Sequence, residues 1–196
     1  MIQVALIRHA ATDWNLEGRI QGREDVPLSK SGRDMVRRWR LPPELGRFVW
    51  VTSTLARAKE TAALMGLAAR TADPRLDEMD WAGWSGRTLA DLRAEFGADM
   101  AANEARGLDF RPPGGESPRE VQERLAAWLR ERAALGRDTG AVTHRGVLRA
   151  ALGLATGWNF VAAPPLVLDR DGVLLLHVEG DGQTSLGPTG LSLEPA

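Results

Sequence analysis

Three short apolar runs in this chain each end on a side chain able to handle an anion. Val4-Ala5-Leu6-Ile7 gives way abruptly to Arg8 and His9, followed by small and polar residues. Ala141-Val142-Thr143 leads straight into His144, ahead of a helix start. Phe48-Val49-Trp50-Val51 passes through Thr52-Ser53-Thr54 to Arg57, which opens another helix. Guanidinium forks match the oxygens of a phosphoryl group, and a helix N-terminus offers it backbone N–H groups. Ligands of open α/β sheets bind beyond the carboxyl ends of parallel strands. If the three runs are such strands, they aim Arg8, His9, Arg57 and His144 at one edge. That arrangement suits phosphoryl transfer, which depends mainly on positioning and charge stabilisation. Taken alone, Arg8 and His9 fit a solvent-exposed strand cap equally well.

The elements that hold these residues alternate between strand and helix. After the first strand, residues 17–28 are rich in glycine and polar side chains and read as a functional loop. Ser29 is placed to N-cap a helix through Trp39, stopped by Pro42-Pro43. The strand at 48–51 precedes a helix from about Arg57 to Leu67, and 68–71 reads as an edge strand before Pro74. Residues 76–87 lack periodicity and read as loop, with helices expected over 89–96 and 98–105. Ser117-Pro118-Arg119-Glu120 combines a capping box with proline at the first helical position, starting a helix to about Leu135. The strand at 141–143 precedes a helix over 147–155. Leu166–Leu168 and Val173–Val178 read as two strands joined by an Arg-Asp-Gly turn, and the segment from Gly180 as an irregular tail. The expected fold is α/β, a three-layer α-β-α sandwich with a mostly parallel central sheet. One domain over 1–196 is expected, with a helical insertion at about 87–112 near the site and the tail at 180–196.

Composition narrows the function classes. Hydrophobic residues make up 43% and charged residues 26%, ordinary proportions for a globular protein. A formal net charge of −1 gives no global attraction toward nucleic acid or an anionic membrane, so neither is expected as a partner. With no cysteine, disulfides, thiolate metal sites and a cysteine nucleophile are excluded. The chain enters its first strand without a signal-peptide pattern, and no apolar run approaches the ~20 residues of a membrane helix. A cytoplasmic protein is expected, and a homodimer is left open.

Arg8-His9-Ala10-Ala11-Thr12-Asp13-Trp14-Asn15 resembles the Arg-His-Gly-x-Thr-x-x-Asn signature of the histidine phosphatase superfamily, in its phosphoglycerate mutase-like branch. The resemblance continues in order. Gln21-Gly22 through Pro27-Leu28-Ser29 and Gly32 is similar to the family's loop and first helix. Thr52-Ser53-Thr54-Leu55-Ala56-Arg57-Ala58 with Thr61-Ala62 resembles Ser-Ser-Pro-Leu-x-Arg-Ala-x-x-Thr-Ala. Leu76-Asp77-Glu78 with Gly83 and Gly86, Pro113-Gly114-Gly115-Glu116-Ser117, and Val142-Thr143-His144 complete the set. The resemblance implies that His9 is the nucleophile and becomes a phosphohistidine. It implies that Arg8, Arg57 and His144 bind the phosphoryl oxygens, with Asn15 and Gln21 as neutral contributors. Glu78 resembles the general acid, with Trp81 or Trp84 as a wall beside it. The implied activity is metal-independent hydrolysis of a small phosphorylated metabolite without a cofactor. Alternatives are mutase-type transfer and a non-catalytic phosphometabolite-binding relative. Three residues depart from the pattern: Ala10 stands where the family has glycine, Thr54 where it has proline, and Arg145 where glycine is common. Ala10 is expected to add a methyl group beside the phosphate, and Arg145 to be either an extra phosphate ligand or a salt-bridge partner pointing away, the structural role being favoured.

Two features compete with this reading. Asp169-Arg170-Asp171-Gly172 imitates the first motif of Mg-dependent haloacid dehalogenase-like phosphatases, but no lysine follows it and a turn accounts for Asp-Gly. His177 lies among leucines, where a structural role is favoured, and the three histidines show no metal-ligand spacing. Substrate choice is expected to lie in residues 87–112 and with Arg19 and Arg23, which are placed to meet a second anionic group.

Overall fold

The computed structural model describes residues 1–69 and 71–195. Its central strand is β1 (Ile2–Arg8), in which Val4 and Leu6 enter one core cluster and Ala5 and Ile7 enter another. Burial on both faces is what an unbroken apolar run in an α/β sheet requires. The remaining strands are β2 (Trp39–Arg40), β3 (Val49–Thr52), β4 (Thr71–Ala72), β5 (Thr139–Thr143), β6 (Val173–Val178), β7 (Thr184–Leu186) and β8 (Glu194–Pro195). Six of them form one sheet in the order β4-β3-β5-β1-β6-β7. The first four run parallel, while β6 and β7 are each antiparallel to the strand before them in the sheet.

Helices cover both faces, giving the three-layer α/β sandwich. They are α1 (Asp13–Leu16), α2 (Lys30–Val36), α3 (Ala56–Leu64), α4 (Leu89–Glu104), α5 (Pro118–Leu135) and α6 (Arg145–Thr156). Leu125, Trp128 and Leu129 of α5 and Val147 and Ala151 of α6 pack with Val4 and Leu6. On the opposite face, Val36 of α2 and Ala58 and Ala62 of α3 pack with Ala5, Ile7 and Trp50. The start of α5 is as its sequence predicts, with a reciprocal capping box between Ser117 and Glu120 and Pro118 in the first turn. The insertion near the site carries its own small core of Trp84, Leu92 and Met100. Among the described residues, no helix is long and apolar enough to cross a membrane.

Three local expectations are corrected and one holds. The helix after Ser29 ends at Val36, because Trp39 leaves it to bury its ring in the second core and pair as β2 with β8. The helices expected over 89–96 and 98–105 are both present within α4, divided at Gly97, whose φ of 48° and ψ of −117° depart from helical geometry. Leu166–Leu168 is not a strand: it follows Pro164-Pro165, and Leu166 and Leu168 pack irregularly on the α5–α6 core. The segment from Gly180 is not an irregular tail. A turn in which Glu179 N–H donates to Gln183 O returns the chain as the edge strand β7. Of the expected 68–71 strand, Arg70 lies outside the described residues, and the observed pairing falls on Thr71 and Ala72.

Candidate active site

Register brings the histidines together. Parallel pairing of β1 with β5 aligns Arg8 with Thr143, so His9 and His144 follow directly on adjacent strand ends. The His9 N–H donates to Thr143 O at 2.9 Å, and the two imidazole centroids lie 5.1 Å apart. Pairing of Thr52 with Val142 sets the end of β3 beside them, followed by Ser53 and by Arg57 in the first turn of α3. His9, Arg57 and His144 are all buried.

Hydrogen bonds fix the state of each ring. His9 Nδ1 lies 2.6 Å from Ala10 O. A carbonyl only accepts, so Nδ1 carries the hydrogen and Nε2 keeps its lone pair. Burial, then the positive charges of Arg57 and Arg8, hold His9 well below the ordinary histidine range. The ring is therefore neutral at physiological pH. His144 Nε2 lies 2.7 Å from Ser53 Oγ, which donates its hydrogen to Asp77 Oδ1 at 2.6 Å. His144 must then be the donor to Ser53, leaving its Nδ1 buried and without a protein partner. Burial, then the neighbouring His9 and Arg57, push His144 well down as well.

The arginines are held with equal definition. Arg57 Nη1 donates to Glu24 O at 2.6 Å and Nη2 to Gly22 O at 2.8 Å, tying the 21–24 loop to α3. Burial lowers Arg8 to about 10, assisted by the nearby Arg170 charge. The Nε atoms of Arg8 and Arg57 and Oε1 of Gln21 are buried without hydrogen-bond partners in the protein. Unpaired buried groups are rare in folded proteins, and two N–H donors beside a histidine suit an anionic ligand. Arg8, His9, Asn15, Gln21, Arg57 and Glu78 line one cavity of about 660 Å³, and His144 sits behind that wall against His9.

Glu78 rests on the start of α6. Its Oε1 accepts from Met79 N–H at 2.9 Å and Gly146 N–H at 3.0 Å. A Cβ at position 146 would lie 2.2 Å from that oxygen, so only glycine permits the approach. Behind the segment, Arg124 of α5 donates to Arg75 O at 2.6 Å and Asp77 O at 2.7 Å, and pairs with Glu116. Trp81 lines the same cavity as Glu78, whereas Trp84 turns into the insertion core.

Several participants have no assigned role at the level of sequence. Asp77 accepts from Ser53 Oγ, from Thr54 N–H at 2.7 Å and from Thr54 Oγ1 at 2.6 Å. Thr54, the departure from proline, thus supplies an N–H that proline lacks and a hydroxyl to the same carboxylate. The adjacency of Asp77 and Glu78 was the available signal, but the partners of Asp77, Ser53 and Thr54, are 24 and 23 positions away. Arg170 is the second such residue: its Nη1 reaches Asn15 Oδ1 at 3.3 Å and His9 O at 3.4 Å. The Asp169–Gly172 motif that carries it is a turn closed by Gly172 N–H on Asp169 O at 3.1 Å.

Other expectations change. The Ala10 methyl is fully buried in the core between the sheet and α2 and α3, and Ala10 N–H donates to Thr61 Oγ1 at 3.1 Å. It does not line the cavity, so it takes no space from it. Arg145, expected to be structural, lines the cavity. Arg19 and Arg23, expected to meet a second anion, face carboxylates of their own, Glu17 at 2.7 Å and Glu116 at 3.7 Å. His177 lies opposite Gln3, at the far end of β1 from the site. Among the described residues, no group of three or more histidine and carboxylate side chains converges as a metal cage.

The sequence model of the histidine phosphatase superfamily (branch 1) matches residues 4–188. The chain belongs to this superfamily. It is 37% identical over 165 residues to a 2,3-bisphosphoglycerate-dependent phosphoglycerate mutase of Azorhizobium caulinodans, covering 75% of this chain and 78% of that protein. It is 35% identical over 133 residues to the probable phosphoglycerate mutase GpmB of Salmonella paratyphi C, covering 66% of this chain and 62% of that one. Among solved structures, a mycobacterial glucosyl-3-phosphoglycerate phosphatase in complex with VO3 superposes with a TM-score of 0.78 at 25% identity, covering 98% of this chain and all of that one. YhfR of Bacillus stearothermophilus gives the same TM-score of 0.78 at 28% identity, covering 95% of each chain.

Proposed function

We propose that this protein hydrolyses phosphomonoesters of a small metabolite through a phosphohistidine at His9. The observation that carries the reading is the bond from His9 Nδ1 to Ala10 O. It commits the free lone pair to Nε2 on a buried, neutral ring whose cavity also holds Arg8, Arg57 and Glu78. In the first step Nε2 attacks phosphorus as the ester P–O bond breaks, and the carboxylic acid of Glu78 protonates the departing alkoxide. In the second, the Glu78 carboxylate takes a proton from water as its oxygen attacks phosphorus, releasing phosphate and restoring His9. Arg8 and Arg57 stabilise the charge on the phosphoryl oxygens in both steps, and Asn15 and Gln21 line the cavity beside them. His144, neutral and with its one N–H on Ser53, supports the His9 ring from behind rather than binding those oxygens as the resemblance implies.

Likeness along the full length to a phosphatase structure supports hydrolysis, and the 37% identity to the Azorhizobium caulinodans mutase makes transfer the second reading. The test is inorganic phosphate release from a panel of small phosphomonoesters, with chelator present, by the wild-type protein and by His9→Ala. Release abolished by the substitution supports the reading. Release retained by His9→Ala overturns it. Transfer to a second acceptor without release identifies a mutase, and binding without turnover a non-catalytic relative.

A further inference from the structure

The cavity holds more positive charge than one phosphoryl group uses. A phosphomonoester carries a charge of about −1.5 to −2, which Arg8 and Arg57 already balance. Three further arginines line the same cavity: Arg145 and Arg149 from successive turns of α6, and Arg170 from the loop before β6. The other cavity-lining arginines, Arg19 and Arg93, have carboxylate partners, Glu17 and Glu104, both at 2.7 Å. Arg145, Arg149 and Arg170 have none within salt-bridge distance among the described residues. Of the carboxylates nearby, Glu78 acts on Arg8 and Arg149 from across the cavity, and Asp169 lines the adjoining pocket. Burial and the like charge of Arg145 lower both Arg149 and Arg170. Uncompensated like charges held together in a partly buried wall are unfavourable unless an anion joins them.

The wall is also built rather than incidental. The Arg149 guanidinium lies 5.0 Å from the ring of Trp158 and 5.2 Å from that of Phe160, and its Nε is buried without a partner. Those two rings stack at 4.1 Å, which Phe160 achieves with a positive φ of 70°, a strained conformation for a phenylalanine. Arg170 is fixed beside the nucleophile through His9 O and Asn15. Arg8, Arg145 and Arg149 are shared between the main cavity and a side pocket of about 150 Å³ beneath residues 164–169.

We infer that Arg145, Arg149 and Arg170 form a second anion seat beside His9, so that the substrate is a phosphomonoester whose alcohol carries another anionic group, a carboxylate or a second phosphate. The substrate class rests on the hydrolase reading; the seat does not. Calorimetric titration of the full chain with uncleavable phosphonates of matched length separates the two. Phosphonopropionate and propylene bisphosphonate present a distal anion, and hydroxypropyl phosphonate presents a neutral one. The anionic pair is expected to bind about 10- to 100-fold tighter, the range of one or two charge-assisted contacts, and the tighter of them names the second group. In Arg145→Gln/Arg149→Gln that preference is expected to fall below about threefold. Arg145 is exposed, so Arg145→Gln alone tests the seat without disturbing the Trp158–Phe160 stack, and should shrink the preference several-fold. Equal affinities in the wild type, or a preference unchanged in both variants, overturn the seat. Phosphate release from matched esters with no preference for the anionic one would remove the seat and leave the hydrolase reading standing.

Discussion

Replacing Gly146 with alanine probes Glu78 without altering its chemistry. The added Cβ would lie 2.2 Å from Glu78 Oε1, 3.3 Å from its Cδ and 3.4 Å from Met79 Cβ. Only the carboxyl must yield, and it must retreat by about 1 Å to reach ordinary contact, straining the bond from Gly146 N–H. Because the obstructing atoms end a flexible side chain, the fold absorbs the change. The helical gain of alanine over glycine, up to about 1 kcal/mol, offsets one lost hydrogen bond of similar size. A misplacement of about 1 Å reduces rate by about 100-fold, within the 100- to 10,000-fold worth of a general acid. The assay is kcat/KM, which reports the phosphorylation step, for an alkyl phosphate and for nitrophenyl phosphate. Nitrophenolate departs without a proton, so the alkyl ester should lose about 100-fold and the aryl ester less than about fivefold. Equal losses on both esters, or no loss on the alkyl ester, would refute Glu78 as the acid placed by α6.

Three further outcomes follow from the same site. His9 and His144 are neutral in the fold, whereas histidines of the unfolded chain titrate near 6.5. Below about pH 6.5 the unfolded state binds more protons, so stability is full above that pH and declines as pH falls, by up to about 1.4 kcal/mol per pH unit for each histidine. Urea denaturation between about pH 7 and about pH 5 checks this, and a flat profile would contradict the buried neutral rings. Ser53→Ala should release His144 from its fixed Nε2–H tautomer, seen as mixed tautomers by nitrogen NMR, with a loss of about 1–3 kcal/mol in stability from the lost hydrogen bonds to Asp77 and from His144. Thr54→Pro, which restores the family residue, should destabilise by about 2–4 kcal/mol in chemical denaturation because it removes two of the donors to Asp77.

Residues whose chemistry depends on strand order were legible in the sequence. An apolar run ending in Arg8-His9, a second ending in His144 and a helix opened by Arg57 suffice to meet at one sheet edge, because parallel strands end together. The capping box at Ser117 is equally local and equally readable. What escaped depends on pairs distant in the chain. Whether an arginine is free to meet a ligand depends on its carboxylate neighbours: Arg19 and Arg23 have them, and Arg145 and Arg170 have none among the described residues. Thr54 looks like a loss until Asp77, 23 positions on, is seen to use its donors. Edge strands β7 and β8 were missed because segments of three and two residues carry no usable periodicity.

The central claim is that His9 attacks through Nε2. Brief exposure to a phosphomonoester, an alkaline quench that preserves phosphohistidine, and fragmentation mass spectrometry with phosphorus NMR locate the phosphoryl group and its nitrogen. The geometry predicts phosphate on Nε2 of His9 alone, because Nδ1 is held by Ala10 O. Phosphate on Nδ1, on His144 or on a carboxylate, formed during productive turnover, would contradict the account.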